Sequence, residues 1–364
     1  MDSKFKEALD KVPNLKEDPG NEAKLKLYGL FKQATVGKCN QPKPGAFDFV
    51  AKYKWDAWNT LGELSQADAK KQYVETVEQL VSKIGLSGGT STSSSLTSGS
   101  ESDMLVIQKR DGVLSFRLNR PDKFNAIRLE MYETFIEQLK NAASDDSVRL
   151  VFITGTGDYY SSGNDLAQFL EMGVASPEDV KKMAEKARGI LEKYVASFID
   201  FPKPIIGAIN GPAIGVMVTT LALFDVVVCS DTTTFQTPFS STGQSPEGCS
   251  SVLFPQLFGV SRANKLLMLN DKISAMEALN AGFVAKIFPK PSFEKDVEEM
   301  IYGEKGILKN CAQGSLVTAK SLIRNSAVKQ ILHAANKAEC DALLNRWLSP
   351  DFPKIMAKFF ARKK

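Results

Sequence analysis

Residues 210–215 read Asn210-Gly211-Pro212-Ala213-Ile214-Gly215 and follow the apolar run Ile205–Ile209, which predicts a strand that ends in a glycine-rich loop. A second loop of this kind, Ser161-Ser162-Gly163-Asn164-Asp165, comes after the strand-like run Leu150–Thr154. Glycine lets the backbone approach a ligand closely, so each loop can point one N–H group at the same oxyanion.

One carboxylate follows these loops in a tight turn, where residues 244–250 read Gln244-Ser245-Pro246-Glu247-Gly248-Cys249-Ser250. A carboxylate beside an oxyanion site can move a proton next to the charge that develops there. From the residues alone, Glu247 could equally be a solvated loop residue, which is the usual role of Glu in a Pro-Glu-Gly turn. The three segments together suggest an enzyme that transfers a proton next to an oxyanion.

A serine hydrolase is the competing interpretation, because Gly243-Gln244-Ser245-Pro246-Glu247 is close to the nucleophile elbow of that class. Glu247 stands where the final glycine of that motif is needed. The single histidine, His333, lies far along the chain in a polar helical stretch, where a surface position is expected. Both points count against a hydrolase.

The composition excludes several classes of protein. The 364 residues predict two domains, and the 43% hydrophobic fraction is enough for buried cores. A net charge of +4 gives no nucleic-acid footprint, and no run reaches the roughly 18 apolar residues of a membrane helix. The five cysteines show no metal-type spacing, so neither a disulfide framework nor a metal site is expected, and a reducing compartment fits best.

Helical periodicity dominates the first part of the chain, up to about Gly85. Four short helices are predicted there, the third over Val50–Leu61 and the fourth over Asp68–Ile84. They indicate an all-α four-helix bundle over residues 1–86. Residues 87–103 are rich in Ser, Gly and Thr and predict a flexible linker, because such a run cannot bury enough apolar surface to offset its ordering entropy.

Strands and helices alternate in the larger part, residues 104–364. Predicted strands at Val113–Leu118, Leu150–Thr154, Ile205–Ile209 and Val226–Cys229 are separated by helical segments such as Arg128–Ala143. This order indicates an α/β domain with helices packed on a sheet. The region from about residue 310 onwards is expected to be helical.

The motifs of this larger part resemble the crotonase (enoyl-CoA hydratase/isomerase) superfamily, an α/β fold built from spiral ββα repeats. Five motifs stand in the order and spacing of that family, and together they cover roughly Leu105 to the C-terminus. They are Arg120-Pro121-Asp122-Lys123-Phe124-Asn125-Ala126, Ser161-Ser162-Gly163-Asn164-Asp165-Leu166, Pro202-Lys203-Pro204-Ile205-Ile206, Asn210-Gly211-Pro212-Ala213-Ile214-Gly215 and Ala281-Gly282-Phe283-Val284.

The resemblance implies a thioester carbonyl polarised by the backbone N–H groups of Asn164 and Val216. It further implies that Glu247 is the only acid/base residue, because the two glutamates of a hydratase would match Thr219 and Phe239. Substrate contacts are implied at Lys123, Ala126, Ser162, Gly163, Asn164, Asp165 and Leu166. An apolar wall that raises the pKa of Glu247 by desolvation is expected from Phe235, Phe239, Val252, Leu253 and Phe254.

The N-terminal part resembles the acyl-CoA-binding protein family through Leu27-Tyr28-Gly29-Leu30-Phe31-Lys32-Gln33-Ala34-Thr35 and Lys54-Trp55-Asp56-Ala57-Trp58. The resemblance implies that lysine charge and tyrosine rings hold the nucleotide end of CoA. Phe31 stands where many members have Tyr, so one phenolic hydrogen bond is lost. The implied substrate-binding residues are Tyr28, Gly29, Leu30, Phe31, Lys32, Lys54 and Tyr73.

Together these resemblances predict a Δ3,Δ2-enoyl-CoA isomerase that works in β-oxidation of unsaturated fatty acids. It would convert 3-cis- or 3-trans-enoyl-CoA into 2-trans-enoyl-CoA without a metal or other cofactor. A non-catalytic acyl-CoA carrier or scaffold, or another crotonase-type acyl-CoA reaction, remains the alternative. A homotrimer is implied, with fatty acyl-CoA and enoyl-CoA esters as ligands. A peroxisome is the first expected location and a mitochondrion the second, although the chain ends Ala361-Arg362-Lys363-Lys364 and not in Ser-Lys-Leu.

Overall fold

The computed structural model describes residues 2–12, 21–40, 55–84, 104–166 and 177–361. The chain divides into two compact units, Met1–Ser98 and Gly99–Lys364. The linker predicted at residues 87–103 and the predicted ligand Lys54 lie outside the described residues. No helix among those described is long and apolar enough to cross a membrane.

The first unit is helical. Its helices are α1 (Asp2–Lys11), α2 (Asn21–Thr35) and α3 (Gln66–Ile84), with a further helical segment at residues 55–59. At the start of α3 the Ser65 hydroxyl accepts a hydrogen bond from the Asp68 N–H at 3.1 Å, which satisfies an N–H left over at the helix N-terminus. The described part of the predicted third helix begins only at residue 55.

Apolar residues at helical spacing form the core of this unit. Phe5, Leu27, Leu30 and Val77 are buried there together with Tyr73. The helix α2 approaches the segment at 55–59 very closely, because a Cβ atom at Gly29 would lie 2.4 Å from the carbonyl oxygen of Ala57. Only glycine permits this contact.

The second unit is built on a six-stranded sheet. Its strands are β1 (Leu105–Arg110), β2 (Val113–Leu118), β3 (Leu150–Gly155), β4 (Ile205–Ile209), β6 (Val226–Ser230) and β9 (Lys286–Phe288), hydrogen-bonded in the order β1-β2-β3-β4-β6-β9. Strands β1 and β2 are antiparallel, and all other neighbours are parallel. A smaller sheet joins β5 (Ala213–Ile214), β7 (Thr234–Gln236) and β8 (Lys272–Ser274).

Helices cover both faces of the large sheet, so alternate residues of its strands enter different cores. On one face, Phe116 of β2 packs against Phe135 of α4 (Leu129–Ser144), and α5 (Pro177–Asp200) adds Tyr194 and Phe198. On the other face, Ile206 of β4 packs with side chains of the helix at Phe293–Tyr302. This explains why the strands read as nearly continuous apolar runs.

The remaining helices all come after β5 in the chain. They are α6 (Val216–Thr219), α7 (Ser250–Phe258), α8 (Val260–Leu269), α9 (Ala275–Asn280), α10 (Phe293–Tyr302), α11 (Ile307–Asn310), α12 (Gln313–Ile323), α13 (Ser326–Trp347) and α14 (Phe352–Ala361). Helix α10 is the one that covers the second face of the large sheet, through Phe293, Val297 and Ile301. The predicted helical C-terminal region is therefore present from Gln313 onwards.

Candidate active site

The two glycine-rich loops leave the sheet side by side, because they follow the neighbouring parallel strands β3 and β4. Asn210 ties them together. Its side-chain oxygen accepts a hydrogen bond from the Gly155 N–H at 3.0 Å, and its side-chain amide donates to the Gly157 carbonyl at 2.7 Å. Both loops thus reach the same edge of the sheet.

Glycine is required where the loops touch. The Ile214 N–H donates to the Ser161 carbonyl at 2.9 Å, which draws the two chains together. Gly163 has a φ of +82°, and a Cβ atom there would lie 2.7 Å from the Ile214 carbonyl oxygen. An alanine at this position would be strained and would push the loops apart.

The N–H groups of Asn164 and Val216 are the two predicted oxyanion donors. The backbone N–H groups of the two preceding residues already have acceptors. The Gly163 N–H donates to the Ser161 hydroxyl, and the Gly215 N–H donates to the Gln236 carbonyl. Val216 is the first residue of α6, where the helix itself offers its N–H no acceptor. No hydrogen bond within the described part of the chain uses either of the two N–H groups.

The turn that carries Glu247 is tight. Gly248 and Cys249 have φ values of +69° and +62°, so two successive residues adopt the left-handed conformation. A Cβ atom at Gly248 would lie 2.6 Å from the Thr219 hydroxyl oxygen. The turn is therefore pressed against α6, and the Cys249 thiol donates to the Leu332 carbonyl at 3.3 Å.

Glu247 is buried, with 2% of its surface exposed. The Thr219 hydroxyl lies 3.3 Å from one carboxylate oxygen, and the other oxygen has no partner among the described residues. The pKa of Glu247 is raised from 4.5 to about 8. Burial is the main cause and the negative charge of Glu339 the second, while the hydrogen bond from Thr219 acts in the opposite direction. A carboxylate of this kind can accept a proton near neutral pH.

These groups line one cavity of about 590 Å³. Every residue predicted to contact substrate in this unit lies on its wall, together with the predicted base and both predicted donor residues. They are Lys123, Ala126, Ser162, Gly163, Asn164, Asp165, Leu166, Val216 and Glu247.

Three carboxylates line this cavity among the described residues, and they differ in their surroundings. Asp165 forms an ion pair with Arg120 at 2.8 Å, so its charge is compensated. Asp122 is exposed at the rim. Only Glu247 is both buried and without a cation. Thr219 and Phe239, which the resemblance matches to the two glutamates of a hydratase, carry no carboxylate.

The predicted apolar wall is wrong for four of its five residues. Only Phe239 lines the cavity, whereas Phe235 and Phe254 pack against Phe283 in the core. Val252 and Leu253 are not on the cavity wall either. Phe235 is absent from the cavity wall because side chains alternate along β7. Gln236 points towards the cavity, so Phe235 points away from it.

Several residues on or next to the cavity wall were not predicted from the sequence. Phe359 of α14, with Gln236, Pro238 and Gln244, completes the wall. Behind it, the Tyr132 hydroxyl donates to the Asn164 side-chain oxygen at 2.6 Å. The helical periodicity of the C-terminal region could have indicated that α14 packs on the fold, but the sequence carries no sign of the surface that it covers.

The hydrolase alternative finds no support in the geometry. The Ser245 hydroxyl is buried and has no hydrogen-bond partner among the described residues, so no base activates it. His333 lies 3.1 Å from Asp200 and is not on the cavity wall. Among the described residues no group of three or more His, Cys, Asp or Glu side chains could hold a metal ion.

The residues predicted to bind CoA in the first unit fall into two sets. Tyr28 and Lys32 are half-buried on α2, and the Lys32 ammonium lies 4.9 Å from the centre of the Trp58 ring. Phe31 is 37% exposed.

The second set lies inside the helical unit. Leu30 is 1% exposed, Gly29 contacts the backbone at Ala57, and Tyr73 packs edge-on against Phe5 with ring centres 5.0 Å apart. Their side chains contribute to the core of the helical unit.

Comparison with known families assigns both units. Residues 108–344 match the family model described as Enoyl-CoA hydratase/isomerase, and residues 2–77 match the one described as Acyl CoA binding protein. The chain belongs to the enoyl-CoA hydratase/isomerase family and carries an acyl-CoA-binding domain at its N-terminus. The predicted family and fold class are thereby confirmed.

Individual relatives narrow the comparison. The chain is 43% identical over 364 residues to Enoyl-CoA delta isomerase 2 of Homo sapiens, an alignment that covers 99% of this chain and 89% of the relative. It is 40% identical over 322 residues to Enoyl-CoA delta isomerase 3, peroxisomal, of Mus musculus, covering 88% and 98%. An enoyl-CoA hydratase/isomerase structure from Pseudoalteromonas atlantica superposes with a TM-score of 0.62 at 30% identity, covering 71% of this chain and 97% of that one.

Proposed function

We propose that this chain is an enoyl-CoA isomerase that moves a 3-cis or 3-trans double bond of a fatty acyl-CoA to the 2-trans position. The names of its full-length relatives support the activity. The cavity of the second unit supports the site, with Glu247 as the base. No cofactor is required beyond the CoA ester that forms part of the substrate.

The proposed mechanism uses one base and two donors. The substrate carbonyl oxygen accepts hydrogen bonds from the N–H groups of Asn164 and Val216. Glu247 takes a proton from C2, the electrons of that C–H bond form a dienolate, and the negative oxygen is stabilised by the two donors. The Glu247 carboxylic acid then returns the proton to C4, which leaves the double bond between C2 and C3.

The burial of one uncompensated carboxylate in this cavity is the observation that carries the proposal. A hydratase must also activate a water molecule, and the two positions for its glutamates hold Thr219 and Phe239 here. Thr219 donates its hydroxyl to Glu247 and cannot serve as a second base. A single carboxylate is sufficient for a 1,3-proton shift.

The first unit is proposed to hold the acyl-CoA before or between turnovers. Lys32 and Lys54 would attract the phosphates of CoA, and Tyr28 would contact its base. The linker predicted at residues 87–103 would then raise the local concentration of substrate near the second unit. A peroxisomal location is proposed as well, since one relative carries that word in its name.

A coupled assay on 3-enoyl-CoA and 2-enoyl-CoA tests the proposal. We expect isomerisation without comparable hydration, and Glu247→Gln should lower kcat by ~10³-fold because the amide cannot accept the proton. Acyl-CoA affinity, measured by calorimetry on the same variant, should stay within about twofold. Absence of turnover by the parent chain would favour an acyl-CoA carrier, and near-parental activity of the variant would refute the single-base mechanism.

A further inference from the structure

A second buried carboxylate lies directly behind the turn that carries Glu247. Glu339 of α13 is 6% exposed, and its two oxygens accept hydrogen bonds from the Cys249 N–H at 2.7 Å and the Ser251 N–H at 2.8 Å. These residues are about 90 positions apart in the sequence, so this contact joins the C-terminal helix layer to the candidate base.

The contact ties the turn to α13. Within the turn, the Glu247 carbonyl accepts a hydrogen bond from the Ser250 hydroxyl at 2.7 Å. Between these two anchors, Gly248 and Cys249 stay in the left-handed conformation, which is unfavourable for Cys249. Glu339 thereby fixes the backbone from which the Glu247 side chain projects.

The surroundings of the two carboxylates decide which of them keeps the negative charge. Glu339 receives two N–H donors and lies at the N-terminus of α7, where a negative charge is favoured. Glu247 receives one weak contact from a hydroxyl group. Burial raises the pKa of both carboxyl groups, but the hydrogen bonds from Cys249 and Ser251 counteract that rise at Glu339. Glu247 therefore holds a proton more readily than Glu339, and the charge on Glu339 opposes the release of that proton.

Other charged groups around the pair do not neutralise it. Within the described part of the chain neither carboxylate has an ion-pair partner. The titratable groups that face the pair from the packed elements, together with the cations next to them, are Tyr132, Arg188, Tyr194, Cys249, Arg324 and Cys340.

We propose that Glu339 is a positioning residue for proton transfer, which fixes the turn under Glu247 and whose negative charge makes Glu247 a stronger base. The inference rests on the proposed role of Glu247. A carboxylate that merely caps α7 would support folding only, and the two possibilities differ in the pH dependence of the reaction.

The test compares pH profiles of kcat for the parent, Glu339→Gln and Glu277→Gln. Loss of the Glu339 charge should move the midpoint of the rising limb to lower pH by about one unit, because the like charge beside Glu247 is gone. The substitution should also lower kcat by about tenfold, because the backbone that carries Glu247 is held less rigidly. Glu277 is the matched control, since it supports the N-terminus of α9 through Ser274 and lies away from the cavity. Its variant should melt at a lower temperature with an unchanged midpoint.

A second variant separates geometry from charge and remains informative if Glu339→Gln fails to fold. Glu339→Asp keeps the charge but is one methylene shorter, so the midpoint should stay and kcat should fall. An unshifted midpoint in Glu339→Gln, or a parental kcat in Glu339→Asp, would overturn the inference. Glu247→Gln, assayed in parallel, distinguishes that outcome from failure of the proposed function, because an active Glu247→Gln would remove the base itself.

Discussion

At the scale of single residues, the second carboxylate oxygen of Glu247 carries a free-energy penalty. It is buried and has no hydrogen-bond partner among the described residues. An unpaired buried oxygen destabilises the ionised state of the folded protein. The same desolvation makes the carboxylate more basic, as the proposed proton transfer requires, so stability and the proposed reactivity oppose each other at this side chain.

The opposition predicts how stability depends on pH. The pKa of Glu247 in the folded protein is raised from 4.5 to about 8, so its favourable contribution is fully present below about pH 4.5 and is lost as the pH rises through about 8. The substitution Glu247→Gln removes the destabilisation that ionisation of this buried carboxyl group causes. We expect the variant to melt at a higher temperature than the parent at about pH 9, with a smaller difference at about pH 5. Thermal unfolding over this range is the measurement, and a parent more stable than the variant at high pH would contradict the expectation.

Gly163 gives a second prediction at the same scale. Alanine there meets the Ile214 carbonyl oxygen and should move the Asn164 N–H away from the oxyanion, so we expect kcat/KM to fall by ~10²-fold. Gly282→Ala is the control, because Gly282 has a similar φ of +78° but nothing within 4 Å of the added carbon. If both variants lose activity equally, backbone strain and not loop separation is the cause.

At the scale of helices and strands, local patterns predicted most of what is observed. The apolar runs became β2, β3, β4 and β6, since strands covered on both faces are apolar throughout. The short motifs also identified the residues around the two loops, because those residues are close in sequence to the strand ends. Local patterns could not predict Glu339 or Phe359, whose partners lie about 90 or more residues away and are chosen by the packing of helices.

Helix α14 supports a prediction at this scale. Its Ile355 and Phe352 pack against Gly243, and this places Phe359 on the cavity wall. Phe359→Ala should raise KM about tenfold through lost apolar contact, with kcat changed less than about twofold. Lys358→Ala, an exposed position on the same helix, should leave both constants unchanged. Steady-state kinetics measure kcat and KM for both variants. An unchanged KM in Phe359→Ala would mean that the acyl-CoA does not contact this part of the cavity wall.

At the scale of the whole molecule, each unit has a core of its own. Phe5, Leu27 and Val77 belong to the helical core, whereas Phe116 and Phe135 belong to the core of the second unit. A fragment of residues 104–364 should therefore fold and turn over at saturating substrate at a rate within about twofold of the full chain. Insolubility, or loss of activity at saturation, would show that the two units depend on each other.

The same fragment is expected to be a trimer, as the crotonase resemblance implies. Large apolar side chains are exposed on two helical surfaces of the unit, which is consistent with burial against other copies. They are Met268, Leu269 and Met276 on α8 and α9, and Leu322, Ile323 and Ile331 on α12 and α13. Sedimentation equilibrium on the fragment measures the assembly directly, and a monomer would contradict the expectation.

Burial of the Cys249 thiol limits oxidative damage in the turn that carries Glu247. Peroxides react with the thiolate form of cysteine, and burial raises the pKa of the Cys249 thiol well above its usual value and that of Cys340 to about 12. Both thiols stay protonated and shielded, whereas the half-buried Cys39 and Cys311 are the accessible ones. The turn that holds the proposed base is thus protected from sulfenic acid formation.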